Sequence, residues 1–471
     1  MPWAGPATLT EPITLPSTTL PSTAPSKSPS APPGSASTTR APARLPAALT
    51  GLSTSVPVSA TLAANEALES RRLRGEPVLP LAFGESGLPV HPRLCAELAD
   101  TAGLGAYGPV AGTKRLREAA AGYWSRRCLP TDPAAVVAGP GSKALLFGTL
   151  LALGADVAVP KPSWVSYAAQ ATLIGAAPHF VPAVPGEGGI CDAAALETAV
   201  RASRAAGRPI GAVLVTMPDN PTGRLASPDA VRELCAAAER NDLIIISDEI
   251  YRDLVHDPSM PFLSPAIVAP DRTVVTTALS KNLAVGGWRI GVARMPDGRI
   301  GAVLRDRLLG IASEIWSAPA GPVQQAAAVA LDEPADLTER VSRSRYLHAA
   351  VCRATARLCA DAGLDVAPPQ AAFYLYPDFD PWRDHLRGKF GVSTGADLAA
   401  LLLNRYGAGT LPGSAFGESA SSLRLRLATG LLYGDTDEQR EQALMADDPL
   451  ELPWISAAMT RFGEILADMA A

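Results

Sequence analysis

The feature that most constrains this chain is a regular alternation of short apolar segments with helical segments, from about residue 96 to about residue 330. The apolar segments are too short for buried helices and are rich in Val, Ile, Ala and Thr, which favours strands. Helical stretches such as Ser227–Arg240, which begins Ser-Pro-Asp like a capped helix, separate most of them. This alternation predicts an α/β fold with a mainly parallel sheet covered on both faces. The predicted strands are Ala135–Ala138, Val157–Pro160, Ile210–Thr216, Leu243–Ser247, Thr273–Thr277 and Ile290–Ala293.

The two ends of the chain have a different character. The first 60 residues hold 12 of the 44 prolines among many Ser, Thr and Ala, and we expect a disordered extension because such a segment buries too little apolar surface to offset its ordering entropy. After about residue 335, a long helix and two strands predict a smaller α+β domain. The expected parts are an extension (1–60), an N-terminal arm of the small domain (61–95), a large domain (96–330) and the C-terminal small domain (331–471).

Composition excludes several classes of function. The formal net charge is -5, which provides no basic surface for nucleic acid. No apolar run reaches the roughly 18–20 residues that span a bilayer, and the longest, 144–158, predicts a buried helix. The six cysteines are scattered without metal-ligand spacing, so we expect no metal site and a reduced, cytoplasmic protein.

The side chains that carry chemistry follow the predicted strands directly. Ligands of such sheets bind at the carboxyl ends of the strands, so these positions are the most informative in the chain. The residues found there are Asn220, Asp248, Tyr251, Lys281 and Arg289, and the glycine-rich segment Gly139-Pro-Gly-Ser142-Lys143 leads from the first strand into a helix.

Each of these features has an ordinary explanation when taken alone. Asn220-Pro-Thr-Gly223 is good turn chemistry, and a single loop lysine such as Lys281 is usually a solvated charge. The segment Gly139–Lys143 lacks the four-residue spacer of a nucleotide P-loop. The five histidines lie outside every motif and receive no catalytic role. Only the combination indicates a specific cofactor.

That combination meets the requirements of pyridoxal 5'-phosphate. Its aldehyde needs a lysine for a Schiff base (an aldimine), which Lys281 offers, and its ring nitrogen needs a buried carboxylate, which Asp248 offers. Asn220 and Tyr251 are suited to donate hydrogen bonds to its phenolic oxygen. The phosphate needs a helix N-terminus and a cation. We assign the phosphate to Gly141, Ser142 and Arg289, and the covering of the ring to Trp164.

From about residue 79 to about residue 430 the chain resembles the class I and II aminotransferases of pyridoxal-phosphate fold type I. The motifs are Tyr107-Gly-Pro-Val-Ala-Gly112, Asn220-Pro-Thr-Gly223, Ser247-Asp-Glu-Ile-Tyr251, Ser280-Lys281 with Gly287-Trp-Arg-Ile-Gly291, and Leu423-Arg-Leu-Arg-Leu-Ala-Thr429. The resemblance implies a seven-stranded sheet and a homodimer in which Tyr107 reaches the phosphate of the neighbouring subunit.

The resemblance also implies a substrate site. Arg424 is the expected clamp for the substrate α-carboxylate, because the family register favours it over Arg426 on the same strand face, and the backbone of Gly84 and the Asn220 side chain lie beside that carboxylate. Ala278 stands where many relatives have a phosphate-binding serine, so Ser280 is a compensating candidate. Ala371 replaces a usual glycine and is expected to narrow the substrate side.

The resemblance therefore implies an aminotransferase that moves an amino group between an amino acid and a 2-oxo acid, with Lys281, Asp248 and Tyr251 as the catalytic residues. The same residues are compatible with a lyase, cyclase or oxidase that uses the same cofactor. A regulator that binds the cofactor without catalysis is a remote alternative, because the N-terminal extension has no helix-turn-helix pattern. The sequence leaves the substrate side chain open.

Overall fold

A seven-stranded sheet lies at the centre of the structure, a computed structural model that describes Val56 and residues 58–471. The strands, numbered along the described chain, are β1 (Leu79–Pro80), β2 (Val136–Gly139), β3 (Asp156–Lys161), β4 (Pro178–Pro182), β5 (Ile210–Thr216), β6 (Ile244–Asp248), β7 (Thr273–Ala278), β8 (Gly291–Arg294), β9 (Tyr374–Leu375), β10 (Ala408–Gly409), β11 (Leu411–Pro412) and β12 (Leu425–Ala428). The strand order in the large sheet is β2-β8-β7-β6-β5-β3-β4, in which β8 is antiparallel to both neighbours and the other pairs are parallel. The expected fold class is therefore confirmed.

Helices cover this sheet on both faces. The α-helices of the described chain, in order, are α1 (Ala60–Leu73), α2 (Pro92–Asp100), α3 (Lys114–Ser125), α4 (Ser142–Leu153), α5 (Val165–Leu173), α6 (Ala193–Ala205), α7 (Pro228–Arg240), α8 (Pro265–Val268), α9 (Gly298–Ile315), α10 (Gly321–Leu331), α11 (Ala335–Asp361), α12 (Arg383–Phe390), α13 (Gly395–Tyr406), α14 (Asp437–Met445) and α15 (Pro453–Ala470). None of these described helices is long and apolar enough to cross a membrane.

The alternation of side chains along β5 shows why the strands are apolar throughout. Val213 and Val215 belong to the core on the side of α7, whereas Leu214 belongs to the core on the side of α4. Both faces of the strand are thus removed from water, so neither face retains a polar pattern. The Ser227 hydroxyl caps α7 by accepting a hydrogen bond from the Ala230 amide at 3.3 Å, as the sequence predicts for that helix.

Two local predictions differ from the structure. The apolar run 144–158 is not one helix, because Gly154 takes a left-handed conformation (φ 62°) that ends α4, and β3 begins at Asp156. The edge strand β4 is absent from the sequence prediction. Only Val181 is buried in it, so it lacks the continuous apolar pattern that marks the central strands.

The remaining strands form two small sheets. One pairs β1 with β10 in parallel, and the other has the antiparallel order β11-β12-β9. The long helix α11 packs against β9. The strands of the small sheets come from residues 79–80 and 374–428, which belong to the expected N-terminal arm and C-terminal small domain. The exact domain boundaries stay predictions. The extension predicted over 1–60 lies almost wholly outside the described residues.

Candidate active site

A cavity of about 550 Å³ opens where the carboxyl ends of β5, β6 and β7 meet the start of α4. Parallel strands bring their carboxyl ends to one edge of a sheet, so residues from distant parts of the sequence meet there. The cavity lining includes nine residues expected from the sequence, which are Gly84, Ser142, Trp164, Asn220, Asp248, Tyr251, Ser280, Lys281 and Arg289.

Lys281 follows β7 and is half-buried in the cavity wall. Its Nζ donates a hydrogen bond to the carbonyl oxygen of Gly84. Burial lowers the pKa of Lys281 to about 8, and the positive charges of Arg426 and Arg289 act in the same direction, while Glu85 opposes them. A lysine whose pKa is near neutrality is suited to nucleophilic and base chemistry.

Asp248 ends β6 and is buried at the floor of the cavity. Its Oδ2 accepts a hydrogen bond from the Tyr167 hydroxyl at 2.9 Å, and its Oδ1 accepts one from the Thr276 hydroxyl at 3.3 Å. Burial raises the pKa of Asp248 to about 6, against the effect of these hydrogen bonds. A carboxylate desolvated in this way gains strongly from a cationic partner.

Positive charge and free amides meet at the start of α4. Gly141 precedes the helix with φ 84°, and a Cβ placed on it would lie 2.6 Å from Nη2 of Arg289. Glycine therefore leaves open the space between the helix N-terminus and the guanidinium group. Burial lowers the pKa of Lys143, and the charge of Arg289 lowers it further. This end of the cavity is suited to a phosphate group, with Ser142 and Ser280 also in its lining.

Other parts of the cavity wall carry phenol, amide and indole groups. The Tyr251 hydroxyl lies 2.7 Å from the Tyr374 hydroxyl, and Asn220 lies nearby in the lining. Trp164 packs edge-to-face on Tyr167 with ring centroids 5.2 Å apart. The Nζ atom of Lys143 lies over the Trp164 ring, 5.0 Å from its centroid. Trp164 is thus held at the cavity by neighbours on both sides.

The structure corrects the expectation that Arg424 is the clamp. Arg424 lies just before β12 and outside the cavity lining, and its guanidinium group pairs with Asp378 and Glu418 at 3.0 Å each. Arg426, within β12, lines the cavity and is only 1% exposed. The two carboxylates beside Arg424 hold its side chain away from the cavity. The two arginines therefore have different surroundings, although they are only two residues apart in the sequence.

Arg426 has no carboxylate partner among the residues that the structure describes. Its Nη1 donates to Oδ1 of Asn220 at 3.1 Å, its Nη2 donates to the Ala82 carbonyl, and its Nε has no hydrogen-bond partner there. Burial lowers its pKa, although three tyrosines oppose this. A buried guanidinium group without a counter-ion is a strong binding site for a carboxylate.

Three other expectations have different outcomes. Tyr107 lies outside the cavity lining and is 95% exposed. Gly84 offers its carbonyl oxygen to Lys281, whereas the sequence suggested a backbone contact with substrate. Ala371 does not narrow the cavity, because it is buried with Leu225 and Val255 away from the lining.

Sequence reasoning missed several lining residues. Tyr167 is one helical turn beyond Trp164, and Tyr374 ends the segment Ala371-Ala-Phe-Tyr374, so both stand close to recognised motifs. Their roles depend on contacts with residues 81 and 123 positions away, which spacing does not reveal. The other unassigned lining residues include Lys143 and Glu85, and Ser59, Thr61 and Leu62 at the start of α1.

Comparison with known proteins gives the family. A family model described as aminotransferase class I and II matches residues 79–443. A probable aspartate/prephenate aminotransferase of Thermus aquaticus is 31% identical over 386 residues, covering 79% of this chain and 92% of the relative. An aspartate aminotransferase of Bacillus sp. (strain YM-2) is 29% identical over 381 residues, with 79% and 92% covered.

Solved structures have the same fold. The aspartate aminotransferase of Thermus thermophilus with maleate superposes with a TM-score of 0.74 at 24% identity, covering 90% of this chain and all (100%) of that chain. An aminotransferase from Mycobacterium tuberculosis gives a TM-score of 0.73 at 22% identity, with 89% and 99% covered. With the family match over most of its length and the cavity built at its strand ends, this chain belongs to the class I and II aminotransferases.

Proposed function

We propose that this aminotransferase uses pyridoxal 5'-phosphate, bound through Lys281, to move an amino group between an amino acid and a 2-oxo acid. The observation that carries the proposal is the presence of three matched groups in one cavity. They are a lysine with a pKa of about 8, a buried Asp248 and a buried Arg426 that has no counter-ion among the described residues. An amino-acid substrate brings the carboxylate that Arg426 lacks, and the cofactor brings the cation that Asp248 lacks.

The residues present fit this cofactor at each of its polar groups. The space kept open by Gly141 beside Arg289, with Ser142 and Ser280, is suited to the phosphate. Asp248 is suited to the ring nitrogen, Lys281 to the aldehyde, and Tyr251 and Asn220 to the phenolic oxygen. Trp164 is placed to cover the ring. A volume of about 550 Å³ accommodates the cofactor together with a small substrate.

Within the proposed site, each residue has a distinct task. Arg426 holds the substrate α-carboxylate with its planar fork, and Asn220 and the Ala82 carbonyl orient that fork. The Nζ atom of Lys281, released by the incoming amine, takes the proton from the substrate Cα atom. Asp248 keeps a proton on the ring nitrogen. When bound, the cofactor supplies the electron sink for the pair left at Cα.

A second subunit fits the exposed position of Tyr107. Its side chain is 95% exposed on a loop in which most of the nearby residues are also exposed. An exposed tyrosine of this kind is typical of an interface. We propose a homodimer in which Tyr107 reaches the phosphate of the neighbouring subunit. The free state of all six cysteines supports a reducing, cytoplasmic location.

The proposed half-reaction can be tested directly. An amino donor added alone to the cofactor-loaded protein is expected to shift the visible band and to release one 2-oxo acid per site, leaving the cofactor in its amine form. Absorbance and product analysis measure both. A lyase would return the original band while it continues to turn over, so repeated turnover with the donor alone would contradict the proposal.

Capture of the cofactor should depend on pH through Lys281. Only the neutral amine attacks the aldehyde, and with a pKa of about 8 roughly a tenth of the sites are neutral at about pH 7. For an ordinary lysine that fraction is about one in three thousand. We expect the rate of band formation in the cofactor-free protein to rise with pH and to level off above about pH 8. A rate that continues to rise to about pH 10 would contradict the lowered pKa.

A further inference from the structure

Two tyrosine hydroxyls meet in the wall of the cavity. The oxygen atoms of Tyr251 and Tyr374 are 2.7 Å apart, and their rings pack edge-to-face with centroids at 5.4 Å. Tyr251 follows β6, whereas Tyr374 lies on β9, which pairs with β12. Tyr374 therefore connects the strand that carries Arg426 with the tyrosine assigned to the cofactor's phenolic oxygen.

Its surroundings hold the Tyr374 hydroxyl in place. A Cβ placed on Gly84 would lie 2.4 Å from this hydroxyl, so the hydroxyl fills space that only a glycine at position 84 leaves. The guanidinium carbon of Arg426 lies 5.0 Å from the Tyr374 ring centroid. Both tyrosines are buried, at 3% and 1% exposure, so neither side chain lies at the protein surface.

The direction of the hydrogen bond between these hydroxyls matters. A phenol has one proton to donate, so a Tyr251 that donates to Tyr374 has no proton left for the cofactor. Within the described part of the chain, the Tyr251 oxygen is the only hydrogen-bond partner of the Tyr374 hydroxyl. Burial raises the pKa of both tyrosines, more strongly at Tyr251, and the charge of Arg426 opposes this effect at both. At Tyr374 the charge of Arg426, which lies over its ring, is the largest opposing effect, so Tyr374 keeps the lower pKa and is the better donor of the pair.

We propose that Tyr374 is a positioning residue that donates its hydroxyl proton to the Tyr251 oxygen, so that the Tyr251 proton points toward the phenolic oxygen of the cofactor. The proposal rests on the proposed function. Donors in a chain strengthen one another, by about 10–30% per bond. Tyr374 thus strengthens the hydrogen bond that Tyr251 gives to the cofactor without touching the cofactor itself.

The test is a pH titration of the visible band in the cofactor-loaded Tyr374→Phe protein. A hydrogen bond donated to the phenolic oxygen stabilises its anionic form, so a weaker bond raises the pH at which the band changes. We expect an upward shift of ~0.3–0.5 pH units. If Tyr251 instead donates to Tyr374, the substitution frees the Tyr251 proton and the midpoint falls. An unchanged or lower midpoint would therefore overturn the proposal.

Two further variants make the result specific. Tyr433→Phe removes the hydroxyl of an equally buried tyrosine, which bonds His348 outside the cavity lining, and we expect no shift from it. In a Tyr251→Phe protein, adding Tyr374→Phe should cause no further shift, because Tyr374 acts through Tyr251. A further shift there would overturn the proposal. If the wild-type protein forms no visible band with pyridoxal 5'-phosphate, the proposed function itself fails.

Discussion

Lys281→Ala protein should form no visible band at about 400 nm with pyridoxal 5'-phosphate and should have no measurable amino-transfer activity. The physical reason is that one nitrogen atom has two tasks. It anchors the cofactor covalently, and it moves the Cα proton, a base function that by itself contributes about 10²–10⁴ in rate. The other residues around the cavity offer no second lysine in the same position, since Lys143 lies at the start of α4.

Absorbance spectra and a coupled 2-oxo acid assay measure this prediction. Lys161→Ala is the matched control, because Lys161 also ends a strand of the large sheet but is exposed and outside the cavity lining. We expect the control to retain both the band and the activity. Substantial transfer activity in the Lys281→Ala protein would rule out the proposed role of Lys281.

Arg426→Ala should lower kcat/KM for an amino donor by about 10²–10⁴, whereas Arg424→Ala should change it by less than about threefold. Loss of one partner of a buried charge pair costs about 3–5 kcal/mol, and each 1.36 kcal/mol is a factor of ten. Arg424 has 46% of its side chain exposed and is already paired with Asp378 and Glu418. Arg424 also lies outside the cavity lining, so its removal takes no positive charge from the proposed substrate site.

Steady-state kinetics of the two variants, with the visible band as a check on folding and cofactor binding, decide between the arginines. Arg426→Lys is a useful third variant, because it keeps the charge but loses the planar fork, and we expect an intermediate loss. The assignment is wrong if Arg424→Ala produces the large loss while Arg426→Ala retains nearly full kcat/KM.

The strand ends were the part of the site that could be predicted. A short apolar segment followed at once by Asp248 or Lys281 places that residue at the edge of the sheet, whatever the details of packing. The edge strand β4 could not be found in this way, because only Val181 along it is buried. A strand is recognised in a sequence by the pattern of apolar residues that its burial requires. An edge strand with a single buried residue has almost no such pattern.

Contacts between distant residues could not be predicted. The sequence places Arg424 and Arg426 two positions apart on one strand, and nothing in it states that Asp378 and Glu418 lie beside the first and Asn220 beside the second. In the same way, Tyr167 supports Asp248 from 81 residues away. Such pairings depend on how separate elements pack against one another.

By itself, then, the sequence determined the α/β sheet, the family and the placement of Lys281, Asp248 and Asn220, because these follow from local pattern and chain order. Only the tertiary structure decided which arginine faces the cavity and that Tyr374 meets Tyr251. Those outcomes are set by neighbouring charges and by space, such as the gap at Gly84. Electrostatic partners and packing volume arise between segments, so they exist only once the chain has folded.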